Sequence, residues 1–347
     1  MESFDASPAS PSWFDRHAPA SVVVFRALQV GDLLCAVPAL RALRWRLPDA
    51  RIALVGLPWA EQFVERFAML VNEFIAFPGH PGLPERQPAP EAYPPFLESV
   101  RARRFDLALQ LHGNGRIVNA LVAQFGTVWQ AGFDDDASAR GASFLRYPAR
   151  GHEIHRLLAL TTHLGAPPRG DHLRFPLLDA DARELARSGL KLPPPGAPYV
   201  CLHPGARDAA RRWPPERFAA LGDALAAHGL QVVLTGSEAE RPLTAAVSAA
   251  MCAPAFDAAA AISLGAMAHL MAGAALLVCN DTGTSHIACG LGLPSVVIFR
   301  ASEMSRWAPL DPSCHRAVWD PLGIRAQAVL DEALDLLVST SASSASA

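Results

Sequence analysis

Four short segments of the sequence set a glycine or other small residue beside charged or hydroxyl-bearing side chains. They are QVGD, with Gly31-Asp32; HPGARDAARRWP, from His203 to Pro214; SEAER, from Ser237 to Arg241; and DTGTSH, from Asp281 to His286. Each follows an apolar run and opens a helical pattern. Backbone N–H groups at a helix start bind anions, and glycine lets a phosphate approach the chain closely. Thr282, Gly283, Thr284 and Ser285 would suit a diphosphate, with Arg207, Arg211 and Arg212 as cationic donors. Asp32 would suit a base. Each segment also has a purely structural reading: Asp281 and Thr282 as a helix cap, Glu238 as a first-turn acid, the arginines as surface charges, and His203 as a satisfied buried histidine.

Other chemistries find less support. Gly113-Asn114-Gly115-Arg116-Ile117-Val118 lacks the third glycine of a dinucleotide fingerprint, and there is no GxxxxGK[ST]. No GxSxG surrounds a serine, HEIH (152–155) is not HExxH, and no Cys/His set has zinc spacing, so no metal site is expected.

The elements that position these residues follow from apolar patterning. SVVVFRA (21–27) and ARIALVG (50–56) read as buried parallel strands around a helix running through Arg46. Pro38 should kink that helix or delay its regular part, leaving Asp32 on a less regular first turn. EFIAFP (73–78) and FDLALQL (105–111) are further strands. Residues 78–95, rich in proline and glycine, form a surface loop. The pattern restarts at YVCLHPGA (199–206), followed by PPERFAALGDALAAHG (214–229) as a helix, then QVVLTG (231–236), AALLVCNDTG (274–283) and PSVVIF (294–299) as strands.

At 347 residues the chain favours two domains of roughly 150 residues each. The series therefore reads as an α/β fold of two Rossmann-like domains facing across a cleft, with ligands beyond the carboxyl ends of the strands. The expected boundaries are a disordered segment 1–20, an N-terminal domain 21–178, a proline-rich linker 179–198, a C-terminal domain 199–338 and a disordered tail 339–347. A hydrophobic content of 51% is ample for two cores, and a net charge of −3 argues against nucleic acid as a partner. The start of the chain lacks the basic and apolar regions of a secretory signal, and no apolar run has the length of a membrane span. Cysteines 35, 201, 252, 279, 289 and 314 have no CxxC spacing and read as small buried thiols in a reducing compartment, the cytoplasm.

Taken together and in order, GDLLCAVPALRALR, HPGA with RRWPPERF, GSEAER and CNDTGTSHIACGLGLPSVVIF resemble glycosyltransferase family 9, the lipopolysaccharide heptosyltransferases and their relatives. The resemblance spans about 21–338. It implies a GT-B fold and inverting transfer from a nucleotide-diphosphate sugar, ADP-heptose among the candidates, to a saccharide or glycolipid acceptor. No cofactor or obligatory metal is implied, and membrane contact would be peripheral, at the inner face. Carried over by position, Asp32 is the base. Arg211 or Arg212 lies near the diphosphate, Glu238 near the nucleoside, and Asp281, Thr282 and Gly283 at the donor sugar and diphosphate. His203, Gly205, Arg207, Ser285 and His286 complete the expected donor site. Gly31 is expected to let the acceptor approach, and His112 and Asn114 to bind it, although LHGNG reads equally as a polar turn. Many relatives have lysine at Arg211 and Gly-Pro-Thr where this chain has Arg300-Ala301-Ser302. Two other readings stay open: a nucleotide-sugar epimerase that hydrolyses the donor, and a non-enzymatic two-domain sugar-binding protein.

Overall fold

The computed structural model describes residues 11–344. Residues 1–10 and 345–347, both within segments expected to be disordered, lie outside the described residues.

The first sheet contains β1 (Ser21–Phe25), β2 (Arg51–Gly56), β3 (Glu73–Ala76), β4 (Leu107–Gln110), β5 (Trp129–Asp134) and β6 (Phe144–Arg146), in the order β3-β2-β1-β4-β5-β6. The second contains β7 (Tyr199–His203), β8 (Gln231–Leu234), β9 (Ala255–Asp257), β10 (Leu276–Asn280), β11 (Ser295–Phe299) and β12 (His315–Trp319), in the order β12-β11-β10-β7-β8-β9. Every pairing is parallel. Each sheet thus repeats the doubly wound Rossmann order, whose direction reverses between its first and fourth strands. Val22, Val23, Val24 and Phe25 are buried because helices cover both faces of a central parallel strand, and β10 and β11 are buried throughout for the same reason.

The chain divides into two compact units by contact. One takes in Ala36–Asp171 and the described residues before Val30; the other takes in Val30–Cys35 and the chain from His172 onward. The segment carrying Gly31-Asp32 therefore belongs with the second unit, although the sequence places it within an unbroken N-terminal domain. Its helix, Val30–Leu34, stops at a turn before the helix Val37–Arg46 begins with Pro38 in its first turn. This is the break that a proline with no N–H to donate imposes.

Several expectations for irregular segments are corrected. In the N-terminal stretch, Trp13–Arg16 is a short helix closed by a Ser12–Asp15 capping box. Trp13 and Phe14 are buried, Trp13 stacking on His17 and meeting Trp129 edge-on. Two large aromatic side chains gain more from burial than a short segment loses in order. Within the expected linker, the helical phrase that the sequence shows ahead of the three prolines is present as the helix Asp179–Arg187. Asp181 caps it, and Glu184 accepts hydrogen bonds from the N–H and hydroxyl of Ser263, tying it to the second unit. The final helix, Ala326–Ser344, runs into the expected tail.

On β12, His315 sits opposite Ser295 of β11 and hydrogen-bonds its hydroxyl at 2.9 Å. Burial pulls its pKa down to about 4, against the pull of Asp311. Below about pH 6.5 the unfolded chain takes up a proton that the folded chain refuses, so this histidine costs up to about 1.4 kcal/mol of stability per pH unit until about pH 4. His315→Gln should flatten the pH dependence of urea unfolding between pH 6 and 4.5 by about that slope; an unchanged slope would refute the assignment.

Candidate active site

In the second unit the functional side chains collect at the carboxyl ends of β7, β8, β10 and β11. Asn280, fully buried at the end of β10, is the organiser. Its Nδ2 donates to the carbonyls of Pro204 (2.8 Å) and Gly205 (3.3 Å), and its Oδ1 accepts from the backbone N–H of Trp213 (2.8 Å). The Trp213 indole donates to Asp320 at 2.8 Å, and Asp320 also accepts from the backbone of Ile324 and Arg325. Both ends of the loop 204–213 are thereby pinned, which sets where its arginines emerge.

Arg211 reaches Asp281 at 3.4 Å, the arginine partly exposed and the carboxylate buried. Arg212 donates to the carbonyl of Ala206 at 2.8 Å, and its charge also acts on Glu240. Arg207 is exposed. Arg300 donates to the carbonyls of Arg212 and Pro321, so it supports the backbone that carries the two arginines.

Glu238, the expected nucleoside acid, is exposed, whereas Glu240 is half-buried beside the loop at Gly205. Ser237 and Glu240 form a capping box, with Glu240 accepting from the Ser237 N–H (2.9 Å) and hydroxyl (2.8 Å). The glutamate lies over Gly205, where any Cβ would collide with its carboxylate. His203 bonds Thr235 through Nδ1 at 3.1 Å. Burial pushes His203 below its usual value against the pull of Glu240. Burial would raise Glu240, but His203, the Ser237 hydrogen bonds and Arg212 outweigh it and hold its carboxyl below the usual range. The S-x-x-E spacing of a capping box is the sequence signal that would have singled out Glu240.

Thr282 occupies the N-cap of the helix Gly283–Leu291, yet its hydroxyl makes no capping hydrogen bond. Ser285 instead donates to the Thr282 carbonyl at 2.7 Å. Gly283 packs against Val30, with no room for a Cβ. The expectation that Gly31 admits an acceptor is also corrected. Gly31 is buried, and a Cβ there would lie 2.7 Å from His286 Cδ2 and 3.3 Å from the Gly283 Cα. The missing side chain lets one helix start seat on another. Asp32, half-buried, is consequently placed beside the start of the helix Gly283–Leu291. Burial lowers the pKa of His286, while Asp281 and then Asp32 pull it up.

In the first unit, His112 lies two residues beyond β4 and is buried. Its Nε2 is 4.0 Å from Glu85 and its Nδ1 has no hydrogen-bond partner. Burial and the charge of Arg26 bring its pKa down to about 3, against Glu153. Arg26 and Glu153 form a buried ion pair at 3.1 Å, and Arg26 also donates to the carbonyl of Leu111. Asn114 is turned toward Asp135, donating to it at 2.9 Å. Among the described residues no group of three or more His, Cys, Asp or Glu is arranged to hold a metal ion.

With this geometry in place, the sequence profile of glycosyltransferase family 9 (heptosyltransferase) matches residues 95–323. The chain belongs to glycosyltransferase family 9. It is 28% identical over 312 residues to lipopolysaccharide heptosyltransferase 2 of Salmonella typhimurium, covering 83% of this chain and 85% of that protein. Among solved structures it resembles a family 9 glycosyl transferase of Veillonella parvula (TM-score 0.78, 19% identity, 92% of this chain and 97% of that one). It also resembles E. coli ADP-heptose lps heptosyltransferase II (TM-score 0.75, 23% identity, 92% and 99%). This family 9 chain is a glycosyltransferase with the GT-B fold, two Rossmann-like α/β units.

Gly31→Ala isolates the helix contact. Alanine would favour a helix by up to about 1 kcal/mol, but the close approach to His286 and Gly283 should make the variant less stable by about 1–3 kcal/mol. Denaturant unfolding reads the difference, and a variant as stable as the parent would overturn the contact.

Proposed function

We propose that the enzyme transfers heptose from ADP-heptose, with inversion at the anomeric carbon, to a saccharide acceptor of the lipopolysaccharide type. Asp32 takes the proton of the acceptor hydroxyl as its oxygen bonds the anomeric carbon, and the bond from that carbon to the diphosphate breaks. One observation carries the reading: the helix bearing Asp32 is seated by Gly31 on the start of the helix Gly283–Leu291. A base and an anion-binding helix N-terminus are thus neighbours, as such a displacement requires.

The donor end consists of Arg211 and Arg212, the uncommitted Thr282 hydroxyl, the N–H groups of Gly283 and Thr284, and His286. Glu240 takes the nucleoside role, and His112 and Asn114 are assigned to the acceptor. Arginines and a helix start neutralise the departing diphosphate, so the reaction proceeds without a metal; activity after exhaustive chelation checks this. The names of the relatives support the donor and acceptor classes. The acceptor class is a glycolipid, which supports a cytoplasmic enzyme peripheral to the inner face of the membrane. Among the described residues no helix is long and apolar enough to cross one.

Asp32→Asn should lower transfer by about 10²–10⁴-fold, the span of a lost general base, with calorimetric nucleotide affinity nearly unchanged. Near-parental turnover would remove Asp32 as base. Arg211→Met and Thr282→Ala should weaken nucleotide binding instead. Among nucleotide sugars, ADP-heptose should give the largest rise in unfolding temperature. Nucleoside diphosphate release at the full rate without acceptor would replace transfer by hydrolysis.

A further inference from the structure

His286 is nearly fully buried, and among the described residues its Nδ1 is its one ring nitrogen in a hydrogen bond, to the Cys35 thiol at 3.8 Å. Cys35 is itself fully buried, at the start of the turn that follows the helix of Asp32. The ring is confined on its other edge. The position a Gly31 Cβ would occupy is 2.7 Å from Cδ2 and 3.4 Å from Nε2, and Trp307 meets the ring edge-on at 6.3 Å. A ring held this way can still be flipped or carry its proton on either nitrogen, and only a hydrogen bond decides between these states.

The chemistry of the thiol makes that decision. A buried thiol carries a hydrogen and its sulfur is a weak acceptor, whereas a neutral imidazole nitrogen is a good acceptor. A buried thiolate would need a cation beside it. The favoured arrangement is S–H donating to Nδ1, which places the imidazole hydrogen on Nε2.

We propose that Cys35 is a positioning residue, donating to Nδ1 of His286 and fixing it as the Nε2–H tautomer, a neutral donor for the diphosphate of the nucleotide sugar. This inference rests on the donor site assigned above. Cys35 does not touch the ligand; it determines which hydrogen-bonding group His286 offers. With the hydrogen on Nδ1, the ring would present a lone pair to an anion and repel it.

The test is nitrogen NMR of the full chain labelled with ¹⁵N-histidine, without ligand, the His286 signals being assigned by their loss in His286→Asn. The Nε2–H tautomer is expected in the parent protein. Cys35→Ala should mix the tautomers and raise KM for the nucleotide sugar by about three- to tenfold, the size of one neutral hydrogen bond. Cys35→Ser, whose hydroxyl is a stronger donor of similar size, should restore both readouts. A parental Nδ1–H tautomer, an alanine variant with unchanged tautomer and KM, or a serine variant no better than alanine would overturn the proposal. The parental spectrum decides the tautomer even if the alanine variant does not fold. A parent protein that binds no nucleotide sugar would instead overturn the donor reading, and with it the role given to this tautomer.

Discussion

The helices Val30–Leu34 and Gly283–Leu291 meet at a separation that only glycine permits on both sides. Gly31 presses on His286 and Gly283, and Gly283 presses on Val30. From this contact follow the position of Asp32, the confinement of the His286 ring and the assignment of residues 30–35 to the second unit. A side chain at either glycine would separate the helix starts and draw the candidate base away from the candidate anion site. The constraint is steric rather than electrostatic, so salt cannot screen it.

Around that contact the buried polar groups fall into two physical kinds. Asn280, the Trp213 indole and Asp320 are satisfied by the protein, as burial demands, and they fix the loop that carries the arginines. The Thr282 hydroxyl, which makes no cap bond, and the Nε2 edge of His286 keep unused hydrogen-bonding capacity. In the first unit the buried Nδ1 of His112 does the same.

Family membership accords with a fold shared at about 20% identity. The interiors of β1, β10 and β11 require only apolar, mostly β-branched residues, which interchange readily at similar volume. Strand-end residues face constraints of another kind. Arg300 is one of them: its guanidinium holds the carbonyls of Arg212 and Pro321, supporting the backbone that carries the arginines.

The central strands of both sheets, the break before Pro38 and the four strand-end segments were legible in the sequence, because buried β-branched runs, proline and glycine act locally. The edge strands β6 and β9, with three residues each, were not, since they have too few residues to show a pattern. The short helix at Trp13 was also hidden, as its stability comes from aromatic burial against Trp129, a contact distant in sequence, whereas the helical phrase ahead of the three prolines was legible. The sequence by itself determined that a glycine and an aspartate stand together at a helix start. Only the tertiary structure decided that the glycine serves another helix, that Glu240 rather than Glu238 is held against Gly205, and that a cysteine addresses His286 across 251 positions of chain. The physical reason is that residue type and spacing set what a segment can do locally, whereas close approach and burial are properties of pairs that the chain brings together only when folded.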